Sequence, residues 1–175
     1  MKYRRKLENR TNYRKRLRLL VTDKPRLVIR KFLRHVSAQI IKFYYDGDKT
    51  IVSAHSRELL KYGYKSPRRN LPTAYLVGLL IAKKAKEKAI IDVIPDIGFY
   101  PPVKGSLIFS LIKGAKDGGL DITFDEEAIP DKRRIEGWHI VEYSEKNKER
   151  FTGYQINPSE LPNNFNETKN KLLGK

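Results

Sequence analysis

The chain has 175 residues, of which 39% are hydrophobic, so it suits one domain with tails and holds enough apolar material for a core. Lys and Arg number 37 against 20 Asp and Glu, and the resulting net charge of +17 points to a polyanionic partner, with nucleic acid the default. Cysteine is absent, which excludes disulfides, a zinc ribbon and a thiolate nucleophile.

The opening segment, residues 1–24, reads as a basic arm. Nine of the first eighteen residues are Lys or Arg and Glu8 is the one acid, so nearly half of the +17 sits in about a tenth of the length. A segment that repels itself this strongly does not pack alone, and it is expected to order on a partner. Tyr3, Asn9, Thr11, Asn12 and Tyr13 are interleaved with the cations. They supply stacking planes and neutral hydrogen-bonding groups beside Arg4, Arg5, Arg10, Arg14, Lys15, Arg16 and Arg18, a mixture that suits RNA better than lipid. No run of ~18 apolar residues occurs and the basic segment has no broad apolar face, so no membrane is expected as a partner. The first residues lack the apolar stretch of a secretory signal, and a cytoplasmic setting is expected.

Pro25 closes the arm. Arg26–Phe32 reads as a strand, Val36–Phe43 alternates as a half-buried second strand, and Asp46-Gly47-Asp48 is a hairpin signal before a third strand at Thr50–Ala54. An antiparallel meander follows. Ser56–Asn70 is basic, with Gly63 and Pro67, and reads as partly loop. Asn70 as a cap and Pro72 in the first turn start a helix that runs to about Lys88. A fourth strand within Asp92–Gly98 carries Pro95, which implies an edge or a bulge. Ser106–Asp117 has one apolar face and a Gly118-Gly119 stop, and reads as a helix. Leu120–Phe124 alternates and predicts a last strand, closing a body at 25–124. Asp131 predicts the cap of one helix through Ile135, Trp138, His139 and Tyr143. Beyond Ser144 the chain is rich in Asn, with Pro158 and Pro162, and reads as extended or docked on a partner. Residues 125–175 therefore form a helical and extended tail.

Around the body, Lys24, Arg26, Lys31, His55, Ser56, Arg57, Arg68, Arg69 and Asn70 fall at strand ends and in loops, where an RNA backbone could reach them. Lys104-Gly105-Ser106 opens a helix, and its N–H groups, with a Gly for close approach and a Lys beside it, would make a phosphate seat. Tyr44, Tyr45, Tyr62 and Tyr64 are candidates either for stacking or for covering a core edge, whereas Tyr75 and Phe109 read as core.

Taken in order, Lys24-Pro25-Arg26-Leu27-Val28, Gly47-Asp48-Lys49-Thr50, His55-Ser56-Arg57-Glu58-Leu59, Tyr62-Gly63-Tyr64 and Ala74-Tyr75-Leu76-Val77-Gly78-Leu79-Leu80 resemble the large-subunit ribosomal protein family that binds 5S ribosomal RNA, number eighteen in the universal naming. Asp96-Ile97-Gly98, Lys104-Gly105-Ser106 and Gly137-Trp138-His139-Ile140 extend the resemblance, which covers about Tyr3 to Tyr143. Pro95 and Trp138 depart from it: the family usually has an aliphatic residue at the first and a small polar or charged one at the second. The resemblance implies an α/β fold, a mostly antiparallel mixed sheet backed by helices. It also implies a structural role in the large ribosomal subunit, binding 5S rRNA at the central protuberance and contacting large-subunit rRNA and neighbouring ribosomal proteins. The overall length favours the archaeal form.

The competing class is a metal-dependent nuclease. Asp92, Asp96, Asp121 and Asp125 lie near predicted strands, but such a site needs carboxylates that converge on one or two ions. His139 and Glu142 stand three apart on a helix with no second ligand pair, and no P-loop, nucleophile elbow or Gly-rich dinucleotide fingerprint occurs. No enzyme activity, metal, cofactor or small-molecule substrate is therefore expected.

Overall fold

Alternation along the first half of the chain builds a sheet with one apolar face. A computed structural model describes residues 3–8, 11–152 and 154–174. Strands β1 (Arg26–Lys31), β2 (Val36–Tyr44), β3 (Gly47–His55) and β4 (Ile94–Asp96) lie in the order β3-β2-β1-β4. The β1–β2 and β2–β3 pairs are antiparallel and β4 runs parallel to β1, so the expected mixed, mostly antiparallel sheet forms. Leu27, Ile29, Val36, Ala38 and Ile40 are each 0% exposed and face one side, as the two-residue period of a strand requires. Pro95 stands opposite Leu27 on the outermost strand, where its missing N–H breaks no ladder.

Helix α3 (Leu71–Lys86) covers that apolar face. Its start follows the predicted chemistry: the Asn70 side chain accepts from the Thr73 N–H at 2.9 Å, with Pro72 in the first turn. Every residue from Pro72 to Ala82 is buried, because α4 (Leu107–Asp117) crosses on the side away from the sheet. The crossing is close. A Cβ at Gly78 would collide with the Leu111 carbonyl oxygen and lie 2.7 Å from the Ala115 nitrogen. Gly119, at φ +99°, then turns the chain out of α4.

The C-terminal third departs from expectation in three places. Leu120–Phe124 makes a single parallel bridge, Asp121 to Asp92, and no strand; Leu120 and Ile122 are buried, the Asp121 N–H and carbonyl bond to Ile91 and Val93, and the Leu120 N–H returns to the Ala115 carbonyl. The helix predicted from Asp131 is two helices, α5 (Lys132–Glu136) and α6 (Trp138–Lys146). Gly137, at φ +94°, breaks it, and the Asp131 side chain makes no capping bond. The tail is not extended: α7 (Leu161–Leu173) docks on α3 of its own chain, with Phe165 and Leu172 in the common core, Leu161 buried, and the Phe165 ring 5.6 Å from that of Tyr75. Asn164 secures it by donating to the Gly63 carbonyl at 2.9 Å and accepting from the Lys65 N–H at 3.1 Å.

Candidate nucleic-acid interface

The basic arm contains two short helices, α1 (Arg4–Leu7) and α2 (Tyr13–Leu20), the second capped by Asn12, whose side chain accepts from the Lys15 N–H at 3.1 Å. The arm lies against the face of the sheet that α3 leaves uncovered. That face is charged, because Arg26, Arg30, Gln39 and Asp96 alternate with the core residues of β1, β2 and β4. Asp48, the second residue of β3, accepts from Arg16 at 3.0 Å and from Arg26 at 2.9 Å. Arg26 also donates to Asp96 at 2.8 Å, and the other Asp96 oxygen accepts from the Gly98 N–H at 2.9 Å. Lys15 adds a bond to the Gly98 carbonyl at 3.3 Å. The arm is thus latched to the sheet at Asp48, which Arg26 and Asp96 brace from beneath; Arg16 is held inward, and Arg4, Arg5, Arg14 and Arg18 are exposed. Tyr3 and Tyr13 pair their rings at 4.9 Å on the same arm. Arg10 lies outside the described residues.

The structure moves two of the expected contact residues inside. Arg26 is 4% exposed and spends its guanidinium on Asp48 and Asp96. Ser56 is 0% exposed, and its hydroxyl accepts from the Val36 N–H at 3.2 Å and meets His35 Nδ1 at 3.2 Å. Both organise the surface from beneath. At Lys104-Gly105-Ser106 the expected donors have partners within the chain. The Gly105 N–H donates to the Ala128 carbonyl at 2.9 Å, the Ser106 N–H to the Val103 carbonyl at 3.3 Å, and Lys104 pairs with Glu127 at 2.7 Å. No free donor pair remains at those two nitrogens.

Other expected residues keep exposed positions or build local structure. Lys24 pairs with Asp92, whose hydrogen bond and negative charge raise the lysine above its ordinary proton affinity. Lys31 lies 4.5 Å over the Tyr100 ring. His55 and Glu58 form a capping box on the 3-10 helix Ser56–Tyr62. Tyr75 is core as read, and Phe109 is half-buried against it. Tyr64 is fully buried, and the loss of solvation pushes its hydroxyl up to about 12. Tyr45 is fully exposed at the hairpin tip, and Lys49 lies 4.8 Å over the neighbouring Tyr44 ring.

Arg57, Arg68 and Arg69 converge, and they meet residues that sequence reasoning did not single out. Arg34, His35, Lys65, Arg150 and Tyr154 join them around a cleft of about 700 Å³. Arg34 and His35 carried a weak signal, two basic residues in a strand-to-strand turn. Arg150 and Tyr154 carried none, since only the docking of the tail brings them there. Three of the four carboxylates of the nuclease alternative are otherwise engaged, Asp92 with Lys24, Asp96 with Arg26, and Asp125 as the cap of the 3-10 turn Glu126–Ala128, and the fourth, Asp121, is exposed. Among the described residues, no group of three or more His, Asp or Glu side chains is placed to hold a metal ion, and no helix is long and apolar enough to cross a membrane.

A small α/β body with a cationic arm fixed across its open sheet face, and a second cationic cleft beside it, is built to bind a polyanion. The comparison with known families agrees: residues 1–94 match the ribosomal large subunit proteins 60S L5 and 50S L18, and the chain belongs to that family. It is accordingly a structural constituent of the large subunit of the cytoplasmic ribosome.

Proposed function

We propose that this protein binds 5S rRNA and attaches it to the large subunit at the central protuberance, touching large-subunit rRNA and neighbouring ribosomal proteins as it does so. The arm at 1–24 and the body at 25–124 form the RNA-binding part, and residues 125–175 complete the body. The observation that carries this reading is the latch: Arg16, Asp48 and Arg26 hold α2 against the sheet. Arg4, Arg5, Arg14 and Arg18 then project from a defined platform.

Arginine serves this task better than lysine, because its planar fork can grip a phosphate bidentately and stack on a base. Lys15, Lys24 and Lys31, with Tyr3 and Tyr13, extend the same surface, and Arg10, outside the described residues, is proposed as a further RNA contact of the arm. Each phosphate neutralised releases counterions, so the logarithm of affinity should fall steeply with the logarithm of salt concentration.

The test titrates the full chain with a 5S rRNA transcript across ionic strengths, beside a variant with Arg4, Arg5, Arg14 and Arg18 all replaced by Ala. The salt slope should drop by about three to four units, near 0.9 per lost phosphate contact. A slope that does not change would remove the arm from the interface, and wild-type protein that ignores the transcript at physiological salt would remove the function.

A further inference from the structure

Between the arm and the sheet face on which it lies there is a cavity of about 500 Å³. Its walls come from both sides: Arg5, Lys15 and Arg16 belong to the arm, and Arg26 and Arg30 to β1. Among the described residues, the acids that line it are Asp48 and Asp96. Five cations less two carboxylates leave these walls at +3. Arg5 and Gly47, both exposed, give a small solute a way in.

The two carboxylates are already spent. One Asp48 oxygen accepts from Arg16 and the other from Arg26, while one Asp96 oxygen accepts from Arg26 and the other from the Gly98 N–H. Donors are nevertheless left over. The Nε atoms of Arg16 and Arg26 are buried without a hydrogen-bond partner, and Arg26 as a residue is 4% exposed. Arg30 gives only Nη1 to the chain, to the Ile29 carbonyl at 2.8 Å and the Asp96 carbonyl at 3.4 Å, and the Lys15 ammonium makes one bond, to the Gly98 carbonyl. Buried guanidinium donors without acceptors are costly, and nothing within the described chain relieves these.

We propose that this cavity binds a free phosphate group, carried by inorganic phosphate or by a small phosphorylated molecule, and that the bound anion locks the arm onto the sheet. Four of the five cations are arginines, whose planar forks each offer two parallel donors to a phosphate. Water would accept hydrogen bonds from the two Nε atoms but would leave the +3 uncompensated, whereas a phosphate supplies acceptors and charge together. A polynucleotide is the less fitting guest, since the sheet floors the cavity, the arm lies over it, and a strand would have to thread between them. Because donors come from both the arm and β1, the anion binds only while the arm is seated, so binding stabilises the seated state by mass action. The proposal does not rest on the 5S rRNA reading, whose test removes the exposed arginines of the arm.

The test titrates the full chain with inorganic phosphate by calorimetry, and follows its melting temperature in phosphate against chloride at matched ionic strength. One phosphate should bind per chain. At ten times the dissociation constant the melting temperature should rise by roughly 3–6 °C over the chloride control, and amide exchange across Tyr13–Leu20 should slow. Arg30→Met removes a wall donor that takes no part in the Asp48 latch, and should weaken phosphate at least tenfold. Gln39→Glu is the second variant, nearly isosteric and on the same wall. Its carboxylate takes the place of the anion, so the fold should be as stable as wild type in chloride and phosphate binding should be lost. A melting temperature that phosphate raises no more than chloride does overturns the proposal, as does phosphate binding that survives both substitutions. A nucleoside monophosphate that binds more tightly than inorganic phosphate assigns the site to a small phosphorylated molecule, and one that binds no more tightly assigns it to the free ion. Labelled phosphate that a saturating 5S rRNA transcript drives out overturns the proposal in favour of RNA. A chain that holds phosphate and ignores the transcript sinks the 5S reading alone, and one that binds the transcript with no phosphate effect sinks this one alone.

Discussion

Replacing Asp96 with Ala tests the latch at its deepest point. The Arg26 side chain is 5% exposed and that of Asp96 10%, joined at 2.8 Å, while Asp48, the second partner of Arg26, is 30% exposed. Removing one member of a buried ion pair costs about 3–5 kcal/mol, because the other charge is left without compensation in a medium that solvates it poorly. Here Asp48 still accepts one Arg26 donor, which places the cost at the lower end, about 3 kcal/mol. The Arg26 Nε is already without a partner, so the guanidinium has no spare bond to fall back on. In a chain of 175 residues that loss corresponds to a melting temperature lower by roughly 6–12 °C. The double variant Arg26→Met/Asp96→Leu removes both charges together and should recover most of the stability, since apolar replacements of a buried pair are often neutral or better. Calorimetry or urea denaturation of wild type, single and double variants reads this directly. A single variant that loses less than about 1 kcal/mol, or a double variant no more stable than the single, would show that Arg26 is not held as a buried cation, and the latch would lose its physical basis.

Phe165→Ala should cost about 3–5 kcal/mol in urea unfolding, because a ring that is 1% exposed leaves a cavity against Tyr75; a cost under 1 kcal/mol would mean that α7 is not part of the core. Gly78→Ala forces a methyl into the α4 backbone, which cannot swing aside like a side chain, and should destabilise by about 3 kcal/mol, whereas an unchanged melting temperature would refute the close crossing. Tyr64 gives an alkaline signature: its hydroxyl is held up to about 12, so above pH 10 the unfolded chain loses this proton and the folded one keeps it. Stability should therefore fall by roughly 2–3 kcal/mol as pH rises from about 10 to about 12. Tyr64→Phe should flatten that part of the curve, and identical pH profiles for the two proteins would contradict the burial.

The sheet and α3 were legible because their signals are local. Alternation in Val36–Ile40 states its own face, and Asn70 with Pro72 states its own helix start. The Pro95 edge strand was legible for the same reason, since a residue without an N–H has few places to stand in a sheet. What failed was non-local. Arg26 at the head of a strand looks like a surface cation, and its burial depends on Asp48 and Asp96, 22 and 70 residues away. The alternating Leu120–Phe124 predicted a strand because burial of every second residue looks the same whether or not a neighbour is present to complete a ladder. The single helix drawn from Asp131 to Tyr143 underweighted Gly137, whose left-handed backbone is the break. The tail hid its destination, because Asn-rich sequence with two prolines says nothing of Phe165 reaching Tyr75. Half of the cleft was hidden with it.

The two cationic regions stand in a fixed relation. The latch gathers at Asp48, where β3 begins, and the cleft at Arg34, His35 and Arg57, where β2 begins and β3 has ended. Between them run the nine residues of β2, about 25–30 Å at the rise of a strand. That length is stiffened on one face by α3 and crossed on the other by the arm. Two contacts joined by a floppy linker would accept any pair of phosphates within reach, whereas two contacts on a rigid sheet accept only a pair presented at one spacing and one angle. On the proposed reading, this is how a protein whose contacts are mostly to phosphates still selects a folded RNA: selectivity comes from the separation of its grips, and the buried Arg26, Asp48 and Asp96 network keeps the arm's grip in place relative to the sheet.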